Sequence, residues 1–226
     1  MVYFDDRRQQ RSRQDNQMCN FFMKTGICKY GEKCTKKHTK PLRSHTVMFH
    51  RLYSDPVYIE RGKLLNEMKK SGRLEQSHGY NTNFLEEAAK KDGFDKEKAQ
   101  KQLEQFFSDV FVELSLKYGK IQDMGVAGNL NNYLNGNVYV EFENESSASI
   151  CFLKTNKRWY NGKPIICELS PVVNLDAACC QSYETSSKCD RDSSCGYAHF
   201  LKIDPKLEKT LYASQWKYYH SKHLDD

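Results

Sequence analysis

The sequence lacks a long apolar segment: no run among its 226 residues approaches the roughly 18 residues that a membrane-spanning helix needs. It also lacks an apolar stretch behind its first residues, MVYFDDRR, so we expect no secretory signal. Both absences predict a soluble, intracellular protein. In that reducing environment the nine cysteines are not expected to form disulfide bonds. The length allows one core of about 100 residues with small modules attached.

Negative charge is scarce at the N-terminal end. Residues 1–45 hold 11 Lys and Arg against 4 Asp and Glu, whereas residues 46–173 hold 17 of each sign, and the net charge of the whole chain is +6. Such a local excess of positive charge favours a polyanionic partner, but a solvated basic arm over residues 1–16 is a competing interpretation. Charge alone leaves both open.

Most of the cysteines fall into two clusters that share one spacing, Cys-x8-Cys-x5-Cys-x3-His. The clusters comprise Cys19, Cys28, Cys34 and His38, and Cys180, Cys189, Cys195 and His199. Zinc favours tetrahedral Cys3His sets of this kind in structural sites, so the sequence predicts two bound zinc ions. A closed set leaves no open coordination position, and we therefore expect neither metal to activate water.

Three cysteines lie outside this pattern. Cys179 could replace Cys180 as a ligand after a nine-residue gap, although the match between the two clusters favours Cys180. Cys151 and Cys167 fall in apolar patterns and are expected in the core. Each ligand cysteine taken singly could also be a small buried hydrophobe, but the repeated spacing argues against that interpretation.

Aromatic and basic residues alternate between the ligands of each cluster, and each cluster is too short to fold without its metal. Flat side chains beside cations suit single-stranded RNA, whose bases stack on aromatic rings while its phosphates meet Lys or Arg. The competing interpretation is that about half of these aromatics only cover the zinc sites, because so small a module must use them as its core.

Between the clusters, residues 44–172 predict an α+β domain with the order β-(insert)-α-β-β-α-β, which is ferredoxin-like and matches an RNA recognition motif. The predicted strands cover 45–53, 120–127, 135–143 and 163–170, and the predicted helices cover 98–118 and 146–156. Gly119 is expected to end the first helix. The insert, 54–97, contains two possible short helices, 63–70 and 84–91. The zinc modules occupy 17–43 and 173–202, and a C-terminal helix and tail occupy 203–226.

The RNA-binding signature of this domain is degenerate. Asn137 stands at one of its stacking positions, Asn135 stands where a Lys or Arg opens the signature, and only Tyr139 is retained. The sheet is therefore a poor platform for bases. We predict a protein-binding domain, with RNA left to the zinc modules.

Two such fingers on either side of a degenerate recognition motif, with the segments GNVYVEF and KRWYNGKPIICELSPV, resemble the small subunit of the U2 snRNP auxiliary factor. The resemblance covers residues 17–220 apart from the insert. It implies a nuclear protein of the spliceosome that helps to recognise the AG of the 3′ splice site in single-stranded pre-mRNA. It also implies a heterodimer, in which the central domain grips a Trp- and Pro-containing peptide of the large subunit. A membrane or small-molecule substrate is not implied.

The same resemblance implies which residues act. Arg158, Trp159 and Tyr160 stand where the family has Arg-X-Phe, with Tyr160 as a pocket wall and Trp159 between the partner's prolines. The other implied partner residues, whose acidic members suit a basic peptide, are Glu104, Phe107, Asp109, Phe111 and Glu113. The implied RNA contacts are Phe21, Lys29, Thr35, Lys36, Arg191 and Tyr197, and the alternation of aromatic and basic residues in the second cluster adds Tyr183.

The alternative function is a zinc-finger RNA-binding protein of another RNA-processing or decay pathway, although decay-type tandem fingers normally lie close together. An enzyme is disfavoured, because both zinc sets are closed and the sequence offers no nucleophile–base constellation. The two fingers could form one joint RNA surface or two independent sites, and the sequence leaves both possibilities open.

Overall fold

A computed structural model of the chain describes residues 17–71 and 95–222. The predicted basic arm (1–16), the predicted helix 84–91 and the tail 223–226 lie outside the described residues. We call residues 17–43 the first finger, 44–172 the central domain and 173–202 the second finger. None of the helices described is long and apolar enough to cross a membrane.

The central domain is built on a four-stranded antiparallel sheet. Its strands are β1 (Thr46–Phe49), β2 (Ile121–Val126), β3 (Val138–Phe142) and β6 (Cys167–Leu169). They lie in the order β2-β3-β1-β6, so β1 and β3 form the centre, where Val47 pairs with Val140. The order and the directions confirm the predicted ferredoxin-like fold.

Two helices cover one face of this sheet, α3 (Lys96–Tyr118) and α4 (Glu145–Thr155). Helix α3 begins where the Asp95 carboxylate accepts a hydrogen bond from the Lys98 N–H at 3.0 Å, and it ends at Gly119. Its apolar residues, spaced three and four apart, turn inward onto the sheet: Leu103, Phe106, Phe107, Val110, Phe111 and Leu114 are all buried. Burial of each such side chain contributes roughly 1.5–3 kcal/mol, which makes this layer the main core.

The predicted helix 63–70 is the second half of a longer helix, α2 (Pro56–Lys70). The Asp55 side chain accepts a hydrogen bond from the Val57 N–H at 2.9 Å, and Pro56 occupies the first helical turn. An Asp-Pro pair starts a helix because the carboxylate caps free N–H groups while proline has none to leave unpaired. The sequence prediction overlooked this start signal.

The predicted strand 163–170 is two strands. Lys163–Pro164 (β5) pairs with Trp159–Tyr160 (β4) in a hairpin, and only β6 joins the main sheet. Asn161 and Gly162 both have positive φ, 45° and 73°, which suits the two-residue turn of a tight hairpin. The hairpin places Trp159 and Tyr160 outside the four-stranded sheet.

The two fingers and the final helix complete the molecule. The first finger contains helix α1 (Asn20–Thr25), and the second contains α5 (Leu175–Ala178) and α6 (Gln181–Ser186). Helix α7 (Pro205–Lys222) packs on α3 and β2, with the rings of Tyr212 and Phe111 4.8 Å apart. The fingers lie against the sheet face opposite α3 and α4, where Met48, Tyr139, Val172, Leu175 and Ala198 form a second apolar cluster.

Candidate metal centres, RNA surface and partner pocket

The ligand atoms of the first cluster converge in the folded chain. The thiols of Cys19, Cys28 and Cys34 and one ring nitrogen of His38 all lie within 4.8 Å of one another. Helix α1 begins directly after Cys19, and Gly26, with a φ of 71°, ends it in the left-handed conformation that returns the chain toward Cys28. Phe22 stacks on the His38 ring at 4.6 Å and holds it in place.

The second cluster repeats this construction. Cys180, Cys189, Cys195 and His199 also bring their ligand atoms within 4.8 Å of one another. Helix α6 follows Cys180, and Ser187, with a φ of 55°, stands where the first finger has a glycine. The Cys179 thiol lies outside the cluster, 3.5 Å from a carboxylate oxygen of Glu184. The ligand is therefore Cys180.

The donor set fits zinc in both fingers. In the described part of the chain, the Nε2 atoms of His38 and His199 are buried and have no hydrogen-bond partner, as expected of atoms reserved for a metal. Burial lowers the pKa of His199 to about 4, which keeps its imidazole neutral and able to coordinate. Burial raises the pKa of Cys180, but hydrogen bonds from the Tyr183 backbone and from Arg191 outweigh it and lower the pKa overall, which favours the thiolate.

The two fingers touch each other. The rings of Phe21 and Tyr197 meet edge to face at 5.9 Å. Gly196 makes this approach possible, because a Cβ at that position would lie 2.5 Å from Cδ1 of Phe21. Two cations flank the Tyr197 ring, with Lys24 Nζ at 5.5 Å and Arg191 Cζ at 5.3 Å. We call the set Phe21, Lys24, Arg191 and Tyr197 the joint surface.

The other predicted RNA contacts divide into two groups. Lys29, Thr35 and Lys36 are exposed on the first finger, and Lys29 Nζ lies 4.9 Å from the Tyr30 ring centre. Tyr183 has a different position: its ring stacks on His199 at 4.3 Å, as Phe22 does on His38. Tyr183 therefore covers the metal cluster and does not belong to the joint surface. Sequence reasoning did not identify Gly196, whose only signal is its place directly before Tyr197.

The sheet offers no free stacking platform at its two signature positions, both of which the structure describes. Tyr139 is fully buried, and its ring meets Phe200 edge to face at 5.8 Å. Asn137 is buried as well, and its Nδ2 donates to the Tyr133 carbonyl at 2.9 Å. The fingers thus occupy the face on which a recognition motif would stack bases.

On the opposite side of the domain, the β4–β5 hairpin and helix α3 enclose a pocket of about 60 Å³. We call it the partner pocket, and its lining includes Leu52, Asp109, Val110, Glu113, Leu114, Arg158, Trp159, Tyr160 and Ile165. Tyr160 forms one wall, with its ring 5.7 Å from Phe106. Burial and the nearby charges of Asp109 and Glu113 raise the pKa of Tyr160, so its hydroxyl stays protonated. Trp159 projects from the rim with 68% of its surface exposed.

An ion pair closes one end of the partner pocket. The Arg158 guanidinium contacts the Glu113 carboxylate, which Lys117 also reaches at 3.0 Å. Burial raises the pKa of Glu113, but the hydrogen bonds and charges of Arg158 and Lys117 outweigh it and hold the pKa below its usual range. Glu113 is therefore ionised at neutral pH and fixes the orientation of Arg158.

The remaining implied partner residues lie away from the partner pocket. Phe107 and Phe111 are buried in the core, because their positions on α3 face the sheet, so neither is available to a partner. This corrects the sequence prediction for both. Glu104 is half-buried and accepts a hydrogen bond from Gln100 at 2.8 Å, nearer the start of the helix.

Comparison with known proteins identifies a matching family model and several similar proteins. Residues 18–40 match the family model of the zinc finger C-x8-C-x5-C-x3-H type. The chain is 34% identical to the splicing factor U2AF 23 kDa subunit of Schizosaccharomyces pombe over 91% of its length and 81% of that protein. It is 34% identical to the splicing factor U2af 38 kDa subunit of Drosophila melanogaster over 88% of this chain and 67% of that protein. It is 32% identical to the splicing factor U2AF 26 kDa subunit of Bos taurus over 88% of this chain and 79% of that protein.

Proposed function

This chain belongs to the family of U2AF small subunits, and we propose that it reads the AG of the 3′ splice site in pre-mRNA through its two zinc fingers while its central domain holds a large subunit. It is a splicing factor with Cys3His fingers, and we propose that it acts in the nucleus. We propose no catalytic role, because four protein ligands close each metal set.

The contact between the fingers is the observation that carries the RNA proposal. Phe21 and Tyr197 come from modules far apart in sequence, yet they form one aromatic ridge with Lys24 and Arg191 beside it. Aromatic faces stack on splayed bases, and the flanking cations neutralise phosphates. Exposed Lys29, Thr35 and Lys36 extend the cationic surface along the first finger. These features support a short single strand that spans both fingers.

The RNA proposal is tested with oligonucleotides of equal length and charge at one fixed salt concentration. Phosphate contacts alone cannot discriminate sequence, so preference for a terminal AG over a scrambled end must come from the bases. Each single-base change of the AG is expected to weaken binding. Equal binding of both oligonucleotides would favour the alternative, a finger protein of another RNA-processing or decay pathway.

The partner proposal is supported by the partner pocket. It lies on the face of the domain opposite the fingers, so RNA and partner do not compete for one surface. Its lining is apolar at the base and acidic at Asp109 and Glu113, which suits a tryptophan flanked by basic residues. The exposed ring of Trp159 beside it suits contact with prolines.

The partner proposal is tested by titrating the chain with a peptide that carries one tryptophan, prolines and basic residues. The control peptide replaces only the tryptophan by alanine and is expected to bind much more weakly. Titrations of RNA with and without the large subunit then measure how much the partner adds. Equal affinity for the two peptides would contradict the pocket assignment without affecting the RNA proposal.

A further inference from the structure

The loop between β2 and β3, residues 127–137, is rich in asparagine, and two of its carboxamides are buried against the second finger. Asn129 is fully buried and Asn131 is 6% exposed. Asparagine in a loop is ordinarily a turn residue whose side chain bonds nearby backbone. Here each side chain also donates to a backbone carbonyl about 65 residues along the chain, and local turn formation does not account for those bonds.

Asn129 bridges two backbone groups of the second finger. Its Nδ2 donates to the Tyr197 carbonyl at 2.8 Å, and its Oδ1 accepts from the His199 N–H at 2.8 Å. Because its carboxamide both donates and accepts, Asn129 supplies the two hydrogen-bond partners that the backbone of an adjacent strand would otherwise provide. His199, whose N–H makes the second of these bonds, is also the residue that supplies the imidazole ligand.

Asn131 fixes Cys195, the other metal ligand in the segment that ends at His199. Its Nδ2 donates to the Cys195 carbonyl at 2.9 Å, while its Oδ1 accepts from the Leu134 N–H at 2.9 Å and fixes the carboxamide within the loop. The Tyr133 hydroxyl donates to the same Cys195 carbonyl at 3.2 Å. The Gly128 N–H donates to the His199 carbonyl at 2.7 Å. Both ligands on this segment are thus fixed by the central domain.

The first finger is attached differently. Its bond to the centre of the sheet runs from the Tyr139 hydroxyl to the Thr25 carbonyl, away from Cys34 and His38. Both fingers close their ligand segment on themselves, through Lys37 with Gln17 and Cys19 in the first and through Ala198 with Ala178 and Cys180 in the second. Among the described residues, only the second finger also receives bonds from the central domain at its ligand residues. Cys34 and His38 are half-buried, whereas Cys195 and His199 are buried.

We propose that Asn129 and Asn131 are positioning residues for the second metal site, and that the second finger consequently releases zinc much more slowly than the first. An isolated finger must order its ligands at the expense of metal-binding free energy. A segment that the domain already holds in place loses less conformational entropy when it coordinates, so the metal is retained more firmly. The same bonds fix Tyr197 opposite Phe21. This inference concerns zinc alone and does not depend on the RNA proposal.

The test uses the full chain loaded with two zinc ions and follows their release into a chromogenic chelator, 4-(2-pyridylazo)resorcinol. The wild type is expected to release one equivalent quickly and one slowly. His38→Ala, which disables the first site, is expected to abolish the fast phase and thereby assign it. Asn129→Ala is expected to accelerate only the slow phase, by roughly tenfold or more, because two buried backbone groups lose their partner.

The matched control is Asn132→Ala, which changes an exposed asparagine in the same loop and is expected to leave both phases unchanged. If Asn129→Ala fails to fold, Asn131→Ala replaces it, because it removes one bond to the finger instead of two. The far-UV circular dichroism spectrum and the urea midpoint of each variant show whether the central domain is intact. A single release phase in the wild type, or a slow phase unaffected by the asparagine variants, would overturn the proposal. Equal acceleration of both phases would also overturn it, because that is the effect of general unfolding.

Discussion

The hydroxyl of Tyr139 donates a 2.7 Å hydrogen bond to the carbonyl oxygen of Thr25, which joins the centre of the sheet to the first finger. Both residues are fully buried. The aromatic residue that a recognition motif would expose to a base therefore serves here as a docking residue. This bond attaches the first finger directly to the centre of the sheet.

Removing the Tyr139 hydroxyl is expected to destabilise the protein. Tyr139→Phe leaves the buried Thr25 carbonyl without its donor, at a cost of about 1–3 kcal/mol. The free energy of unfolding of the zinc-loaded chain in urea measures this loss. Tyr30→Phe is the matched control, because Tyr30 is exposed and its substitution should leave stability unchanged. Equal stabilities for the two variants would contradict the docking role.

The two tryptophans provide a matched pair for the partner pocket. Trp159→Ala is expected to weaken binding of the tryptophan peptide by about 2 kcal/mol or more, since an exposed ring at the centre of an interface contributes disproportionately. Trp216→Ala removes an exposed ring on α7, where it stacks on His220, and is expected to leave the affinity unchanged. Isothermal titration of both variants measures the difference. A comparable loss in both would remove the case for Trp159.

The joint surface predicts coupling between the fingers. Phe21→Ala and Tyr197→Ala should each weaken binding of AG-containing RNA. Because the two rings touch, the double variant should lose less than the sum of the single losses, with a coupling of roughly 0.5–1.5 kcal/mol. Fluorescence anisotropy with labelled RNA measures the cycle. The control cycle combines Phe21→Ala with Trp159→Ala, and its losses of RNA-binding free energy should be additive. Additive losses in both cycles would indicate two independent fingers.

The ion pair between Glu113 and Arg158 predicts a pH dependence of stability. The folded-state pKa of Glu113 is lowered, so its ionised form stabilises the fold above the carboxyl's unfolded pKa. That contribution is lost as the pH falls through the folded-state pKa. The difference in unfolding free energy between the wild type and Glu113→Gln should therefore be constant from pH 7 to about 5 and shrink below about pH 4. A difference that stays constant through pH 3 would contradict this assignment.

Zinc removal should separate the two proposed activities. A strong chelator is expected to abolish RNA binding, because the fingers fold on their metals. Peptide binding should largely persist, since the partner pocket lies on the opposite face and its walls come from α3 and the β4–β5 hairpin. Titration of RNA and peptide before and after chelation measures both effects. Parallel loss of the two activities would mean that the central domain does not fold without its fingers.

Local patterns predicted a large part of this structure. The apolar periodicity of α3 and the repeated ligand spacing were sufficient because each depends on residues within a few turns of one another. The Asn-Gly turn at 161–162 was also visible, yet its effect of dividing the last strand was overlooked. Likewise, Phe107 and Phe111 were assigned to the partner by their sequence position, while helical geometry turns them into the core.

The contacts between modules could not be predicted in this way. Ligand spacing determines how a finger folds but carries no information about where the finger docks. The bonds of Asn129 join groups about 70 positions apart, and the same residue in isolation indicates only a turn. Gly196 has meaning only once Phe21 is known to lie against it. Long-range packing determines the bonds of Asn129 and the contact between Gly196 and Phe21, and these contacts position the joint surface.

Gln215 of helix α7 has a further consequence at the border of the sheet. Its Oε1 accepts from the Ile121 N–H and its Nε2 donates to the Ile121 carbonyl, both at 2.8 Å, at the first residue of edge strand β2. Unpaired edge strands invite other chains to add to them and so promote aggregation. The side chain of Gln215 occupies the two groups that an incoming strand would need at that point. Helix α7 thus blocks the addition of a further strand at this end of β2.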